Sequence, residues 1–211
     1  MKLSGEEWMA EIWIRTDEAE DVAGSIRQIV RMVNYVGDDA QAWKSAVIAL
    51  HSALQGACVC HLTTTAVPLG AVKKENADEW STYFNESRTN PDAKVPETRL
   101  MNLPDLLNAI RKPHSAGNGD APSGIGINSS ELNWMRRFHK NIRNQFTHFE
   151  PMSWSVEVSG VPEIAKLAAR IIKEILEVGW AFRHLPLLQR EEMMQNLDLL
   201  EKLDWPLTPS P

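Results

Sequence analysis

An all-α protein is predicted by two features of the sequence. Apolar residues recur at three- and four-residue steps through most of the chain, and strand-like alternation is confined to one stretch, Trp154 to Val158. A third feature divides the pattern into separate helices: Asp, Ser or Asn precedes most periodic runs, and Gly or Pro follows them. The expected architecture is an up-and-down bundle of four to five main helices. It forms a single domain over residues 1–211, with the core at about 17–203, a long irregular insertion at about 63–102 and a mobile Gly-rich loop at about 114–128.

Taken in order, Ser4 with Glu7 is a capping-box pattern that opens a short helix through Trp8, Ile12 and Trp13. Thr16 and Asp17 open a second helix, in which Val22, Ile26, Ile29, Val33 and Val36 form one stripe. Gly37 and Asp38-Asp39 close it and cap a third helix over Ala40–Leu62. There Trp43, Val47, Leu50 and Leu54 face the core, and Ala46, Ala49 and Ala53 allow close approach. His51 and His61 on this helix read as hydrogen-bonded core residues and receive no role.

The insertion is broken by Pro68, Gly70, Pro91 and Pro96 and holds a short helix around Ala77 to Phe84. Another helix spans Leu103 to Ile110, with Pro104 in its first turn and Pro113 beyond its end. The glycines at 117, 119, 124 and 126 match no phosphate-binding spacing and read as a flexible linker. Ser129 or Ser130 then caps a regular helix whose Leu132, Met135, Phe138, Ile142, Phe146 and Phe149 face the core. Past Pro151 the extended stretch turns at Ser159-Gly160 into an amphipathic helix from Val161. Pro186 divides that from a last helix ending near Leu203, followed by an irregular tail from Trp205.

Composition narrows the function. With 43% hydrophobic and 24% charged residues the chain reads as an ordinary globular protein. The apolar runs look shorter than a membrane span and the N-terminus lacks a secretory signal, so a cytoplasmic protein without membrane contact is expected. Cys58 and Cys60 read as small buried hydrophobes, and no metal or cofactor is expected. The eight tryptophans read mainly as core filling. A net charge of −6 speaks against a whole-molecule grip on nucleic acid, so any such binding must be local. One helix suits it: between Glu131 and His148 lie Arg136, Arg137, Lys140 and Arg143, with His139, against the single acid Glu131.

That helix ends in Arg143-Asn144-Gln145-Phe146-Thr147-His148-Phe149-Glu150-Pro151. Arginine forks onto phosphate oxygens and histidine exchanges a proton near neutrality, a pairing suited to phosphoryl transfer on RNA or to phosphate binding. Carried by a helical domain of this size, the run resembles the HEPN superfamily, whose signature is Arg, then four to six intervening residues of which the first is usually polar, then His. Arg143, Asn144 and His148 match it in turn, with Phe149 and Pro151 also typical.

The resemblance implies a metal-independent endoribonuclease in which Arg143 stabilises phosphorane charge, His148 acts as general base or acid, and Asn144 orients either the histidine or the substrate. Arg136, Arg137, His139 and Lys140 would bind flanking phosphates. It further implies a homodimer that brings two such helices to one composite cleft, since a single Arg–His pair offers one proton-transfer group. A toxin or defence role, with an antitoxin or nucleotidyltransferase partner, belongs to the same expectation. The rivals are a non-catalytic RNA- or nucleotide-binding module and a helical protein-interaction or regulatory domain.

Overall fold

A computed structural model describes residues 13–14, 16–65, 69–147 and 155–206. Of these, 62% are helical, and the described residues contain no strand, only an isolated bridge between Val72 and Leu100. The all-α expectation therefore holds. Of the N-terminal helix expected from Ser4 through Trp13 only Trp13 is among the described residues, where it is exposed and not helical.

Helix α1 (Glu18–Val33) starts where the Asp17 carboxylate accepts the Glu20 N–H, and buries Val22, Ala23, Ile26, Ile29 and Val33. Asp39 caps α2 (Ala40–Leu62) through the Gln41 N–H. The two helices share the most extensive contact in the molecule. Gly56 is one reason they can: a Cβ there would lie 2.7 Å from Val22 Cγ2. By length and composition α2 could cross a membrane, with mean hydropathy 1.4, but 72% of that apolar window is buried inside the protein. Its faces are taken up by α1, by α4 (Leu103–Ile110) and by α7 (Val161–Val178).

The insertion is more regular than its prolines suggest. Helix α3 runs over Lys74–Glu86, longer at both ends than the expected 77–84, with Trp80 stacked on Phe84 at 5.7 Å between ring centres. Buried Asn76 staples the arm closed, donating to the Glu97 carbonyl and accepting the Arg99 N–H, both at 2.8 Å.

The glycine-rich segment, expected as a flexible linker, is bonded to the core along its length. Ile125 N–H donates to the Ile110 carbonyl and Gly117 N–H to that of His61, both at 2.8 Å, while Ile125 and Ile127 are buried. Gly117 fits only because it lacks a side chain: a Cβ would stand 2.1 Å from the Thr63 carbonyl oxygen. At the far end Gly126 accepts from Arg170 and donates to Glu174 of α7, both at 2.7 Å, which fixes where the next helix begins.

That helix, α5 (Ser129–Arg137), is capped by Asn128 rather than by Ser129 or Ser130. A capping box needs its acceptor three residues before the glutamate, and Asn128 with Glu131 meets that spacing, with reciprocal bonds of 2.9 Å. α5 continues without a break into a π-helical segment, Phe138–Arg143, and the short α6, Asn144–Thr147. Ser155–Val158 is unpaired, Gly160 precedes α7, and α8 (Leu187–Lys202) packs on α1 and α7. Lys173 of α7 bridges Asp198 and Glu201 of α8 at 2.5 and 2.6 Å. Beyond α8 the irregular tail carries Trp205 into the core, stacked 5.4 Å from Trp43.

Candidate functional site

The basic helix is not the regular one its periodicity suggests. His51 on α2 touches two adjacent residues of it, with ring centres 6.2 Å from Phe138 and 5.1 Å from His139. Adjacent side chains on an α-helix diverge by about 100°, so turning both toward one neighbour widens the helix. The π segment does this, and Asn144 N–H reaches back five residues to the His139 carbonyl.

The expected site residues separate into groups. Arg136 and Lys140 are exposed, and Arg136 donates to Asn133 at 3.2 Å. Arg137 faces the other flank, where it lines a cavity of about 430 Å³ with Trp134, Phe138, Asn141 and Ile142. The phosphate-binding set Arg136, Arg137, His139 and Lys140 therefore does not form one continuous surface. Arg143 is half-buried, and its Nη1 donates to Asn144 Oδ1 at 3.0 Å, so these two expected partners do meet. Among the described residues Arg143 makes no ion pair. His148 lies outside the described residues, as do Phe149 and Pro151.

Arg143 lines a cleft of about 510 Å³ together with His51, Ser52 and Gln55 of α2 and Asp17, Glu18 and Asp21 of α1. Arg143 is the one cation of this lining and faces three carboxylates, which sit at the N-terminus of α1 where the helix dipole partly offsets their charge.

Beside Arg143 stands a pair of imidazoles that no spacing in the sequence indicates. His51 Nε2 and His139 Nδ1 are 2.8 Å apart and their rings stack. Burial, then the Arg143 charge, then His139 push the His51 pKa down to about 3. Burial and Arg143 also lower that of His139, against a smaller upward pull from Asp105. Both rings are thus neutral near pH 7, so the hydrogen bond between them has one donor and one acceptor. The signal available in the sequence was indirect: a polar ring on the apolar stripe of α2 requires a partner.

The other expected core histidine, His61, is tied to Ser115 Oγ at 2.9 Å. Burial raises the pKa of both Cys58 and Cys60, as suits inert thiols. The chain matches no family profile, no curated protein and no solved structure. Its function therefore has to be argued from these residues.

Proposed function

We propose that the protein is a metal-independent endoribonuclease of HEPN type, with its helices arranged as the up-and-down bundle of that superfamily. The observation that carries this reading is Arg143, in no ion pair among the described residues, bonded to Asn144 and lining a cleft together with His51, whose ring is bonded in turn to His139. In the reaction the ribose 2′-oxygen attacks the adjacent phosphorus and the bond to the 5′-oxygen breaks, leaving a 2′,3′-cyclic phosphate and a free 5′-hydroxyl. Arg143 neutralises charge on the phosphorane oxygens, His148 transfers a proton as base or acid, and Asn144 orients Arg143.

A second copy related by a two-fold axis brings a second Arg143 and His148 to the same RNA, which makes a homodimer the working form. Cationic residues outside the cleft, Arg136 and Lys140 on the exposed flank, hold flanking phosphates. The setting is cytoplasmic, in a toxin or defence role, with an antitoxin or nucleotidyltransferase as the restraining partner.

The test is incubation of purified protein with mixed RNA in chelator, beside Arg143→Ala and His148→Ala. Cyclic-phosphate ends from the wild type and from neither variant are expected. Wild-type protein that binds RNA without cutting it would instead select the non-catalytic binding module. A monomer in solution at all concentrations would remove the composite dimer.

A further inference from the structure

Along the continuous helix that begins with α5, Trp134, Arg137, Phe138, Asn141, Ile142 and Gln145 follow one another at three- and four-residue steps and so share one face. Such a face ordinarily packs on a neighbour. Here α7 packs on α5, while the π segment has α2 as its partner, and the face opens on the cavity of about 430 Å³. Gly160 at the start of α7 helps to keep it open, since a Cβ there would meet nothing within 4 Å.

The floor is apolar, made by buried Phe138 and Ile164 and by half-buried Ile142. The rim is polar. Trp134 stands 48% exposed and stacks on no other ring among the described residues. Arg137 enters no ion pair among them, and the side chains of Arg137, Asn141 and Gln145 make no hydrogen bond. A cavity of this size, with an apolar floor and a few unengaged polar groups around it, has the usual form of a small-molecule site.

The charges narrow the ligand. Glu157, in the extended stretch before α7, lines the same cavity and forms no ion pair with Arg137. One of its oxygens accepts the Ser159 N–H at 2.8 Å, and the bonds from the Ser159 side chain and N–H hold its carboxyl below the ordinary pKa, so it is ionised at neutral pH. Its other oxygen is left for a donor. A simple anion would match Arg137 but meet Glu157 with like charge, and a simple cation would reverse that mismatch. A ligand with both an anionic group and an amine satisfies the two, and the open indole beside an apolar floor suits a flat ring.

We propose that this cavity binds a small aromatic ligand carrying one anionic group and one amine, with the anion on Arg137, the amine on Glu157 and the ring against Trp134 and the floor. Asn141 and Gln145 each offer a donor and an acceptor that fix its orientation. Two kinds of small molecule share this chemistry. Aromatic amino acids carry it as carboxylate and ammonium, and nucleotides as phosphate and the exocyclic amine of the base. Arg143 does not line this cavity, so the inference is independent of the ribonuclease reading.

The experiment is calorimetric titration of the full chain with L-tryptophan and with adenosine monophosphate, each beside two analogues. Indole-3-propionate lacks the amine of tryptophan, and tryptamine lacks its carboxylate. Inosine monophosphate has a carbonyl in place of the adenine amine, and adenosine lacks the phosphate. At least one parent should bind with Kd below about 1 mM, and both of its analogues at least about tenfold more weakly. Which parent binds distinguishes the two sources. Arg137→Gln should weaken that parent by about tenfold or more, and Glu157→Ala should bring it within about threefold of its amine-free analogue. Gly160→Leu fills the cavity from a position where a side chain has room, and should abolish binding while melting as wild type does.

If neither parent binds at about 5 mM, or if the analogues bind as tightly as the parents, the proposal fails. It fails equally if binding is unchanged in Arg137→Gln, because the ligand then lies elsewhere. Arg137 and Glu157 are exposed, so their variants should fold, with melting as the check. Should Gly160→Leu not fold, Arg137→Gln and Glu157→Ala still decide the matter. None of these outcomes bears on RNA cleavage, which is read separately through Arg143.

Discussion

His51 and His61 stand on the same helix, both buried, both held neutral by burial, yet their partners give them opposite uses. His61 Nε2 meets Ser115 Oγ, and that hydroxyl donates to the Ile110 carbonyl at 2.8 Å. The serine proton is thereby committed, so His61 must be the donor on Nε2. Its Nδ1 is left unprotonated and buried, with no hydrogen-bond partner among the described residues. Protonating it would add a charge with no acceptor, which fixes one tautomer. His51 meets a second imidazole beside an arginine, so its bond can run in either direction. A histidine bonded to a committed hydroxyl is a strut, and one bonded to another titratable ring can relay a proton. Burial alone does not separate the two.

The largest effect that sharpens this contrast is on activity. On the proposed ribonuclease reading, Arg143→Ala should lower RNA cleavage by about 10²–10³-fold, because it removes the charge proposed to meet the phosphorane. Melting should shift little, since Arg143 is half-buried and bonded to Asn144 alone among the described residues. A large loss of stability with no loss of cleavage would place Arg143 with His61, among the struts.

On the His61 side the corresponding lesion is Gly117→Ala. The loop there donates to the His61 carbonyl, and Trp180 Nε1 donates to Thr63 at 2.8 Å with Arg183 lying 3.6 Å over the Trp180 ring. A methyl group 2.1 Å from the Thr63 carbonyl oxygen must push this assembly apart. A cost of about 3 kcal/mol is expected from chemical denaturation. Residual variant protein, once folded, should retain the Arg143 chemistry.

How far these sites were legible follows from the range of the interactions. Helices α2 and α4 were bounded by sequence alone at Ala40–Leu62 and Leu103–Ile110, since their caps and breakers lie within a few residues of the ends. Arg143 and Asn144 were likewise found together because they are neighbours. The His51–His139 bond spans 88 residues and depends on a widened helix turn that side-chain periodicity cannot foretell. The glycine-rich segment misled for a related reason: its glycines serve close backbone contacts with Thr63 and Arg111, partners distant in sequence or hidden behind a turn, rather than flexibility. The run of basic residues likewise grouped Arg137 with Arg143, yet the two line different cavities.

A smaller effect, in pH, treats the two histidines alike and so isolates burial from partnership. Burial, the cause for His61 and the largest one for His51, lowers their pKa to about 4 and about 3, below the value of 6.5 each takes when unfolded. A group with a depressed folded pKa binds its proton more readily in the unfolded chain, so stability is complete above pH 6.5 and falls as pH drops toward 4. The His61 share is on the order of 2–3 kcal/mol. Urea midpoints measured down this range should fall, and His61→Gln should flatten part of the slope. An unchanged slope in that variant would mean that His61 is protonated in the folded protein.

The smallest effect tests the strut itself. Ser115→Ala removes the hydroxyl that accepts from His61 and donates to Ile110, at a cost of about 1–2 kcal/mol. Its sign for tautomer is more telling than its size. With Ser115 gone, nothing commits His61 to Nε2–H, and the ring can place its proton on either nitrogen. Nitrogen chemical shifts should therefore move from a single-tautomer pattern in the wild type toward an average in the variant, while those of His51 stay as they were. If the His61 shifts do not respond, the serine is not what fixes the ring, and the distinction between a strut and a relay has to rest on Arg143 rather than on the hydrogen-bond partner.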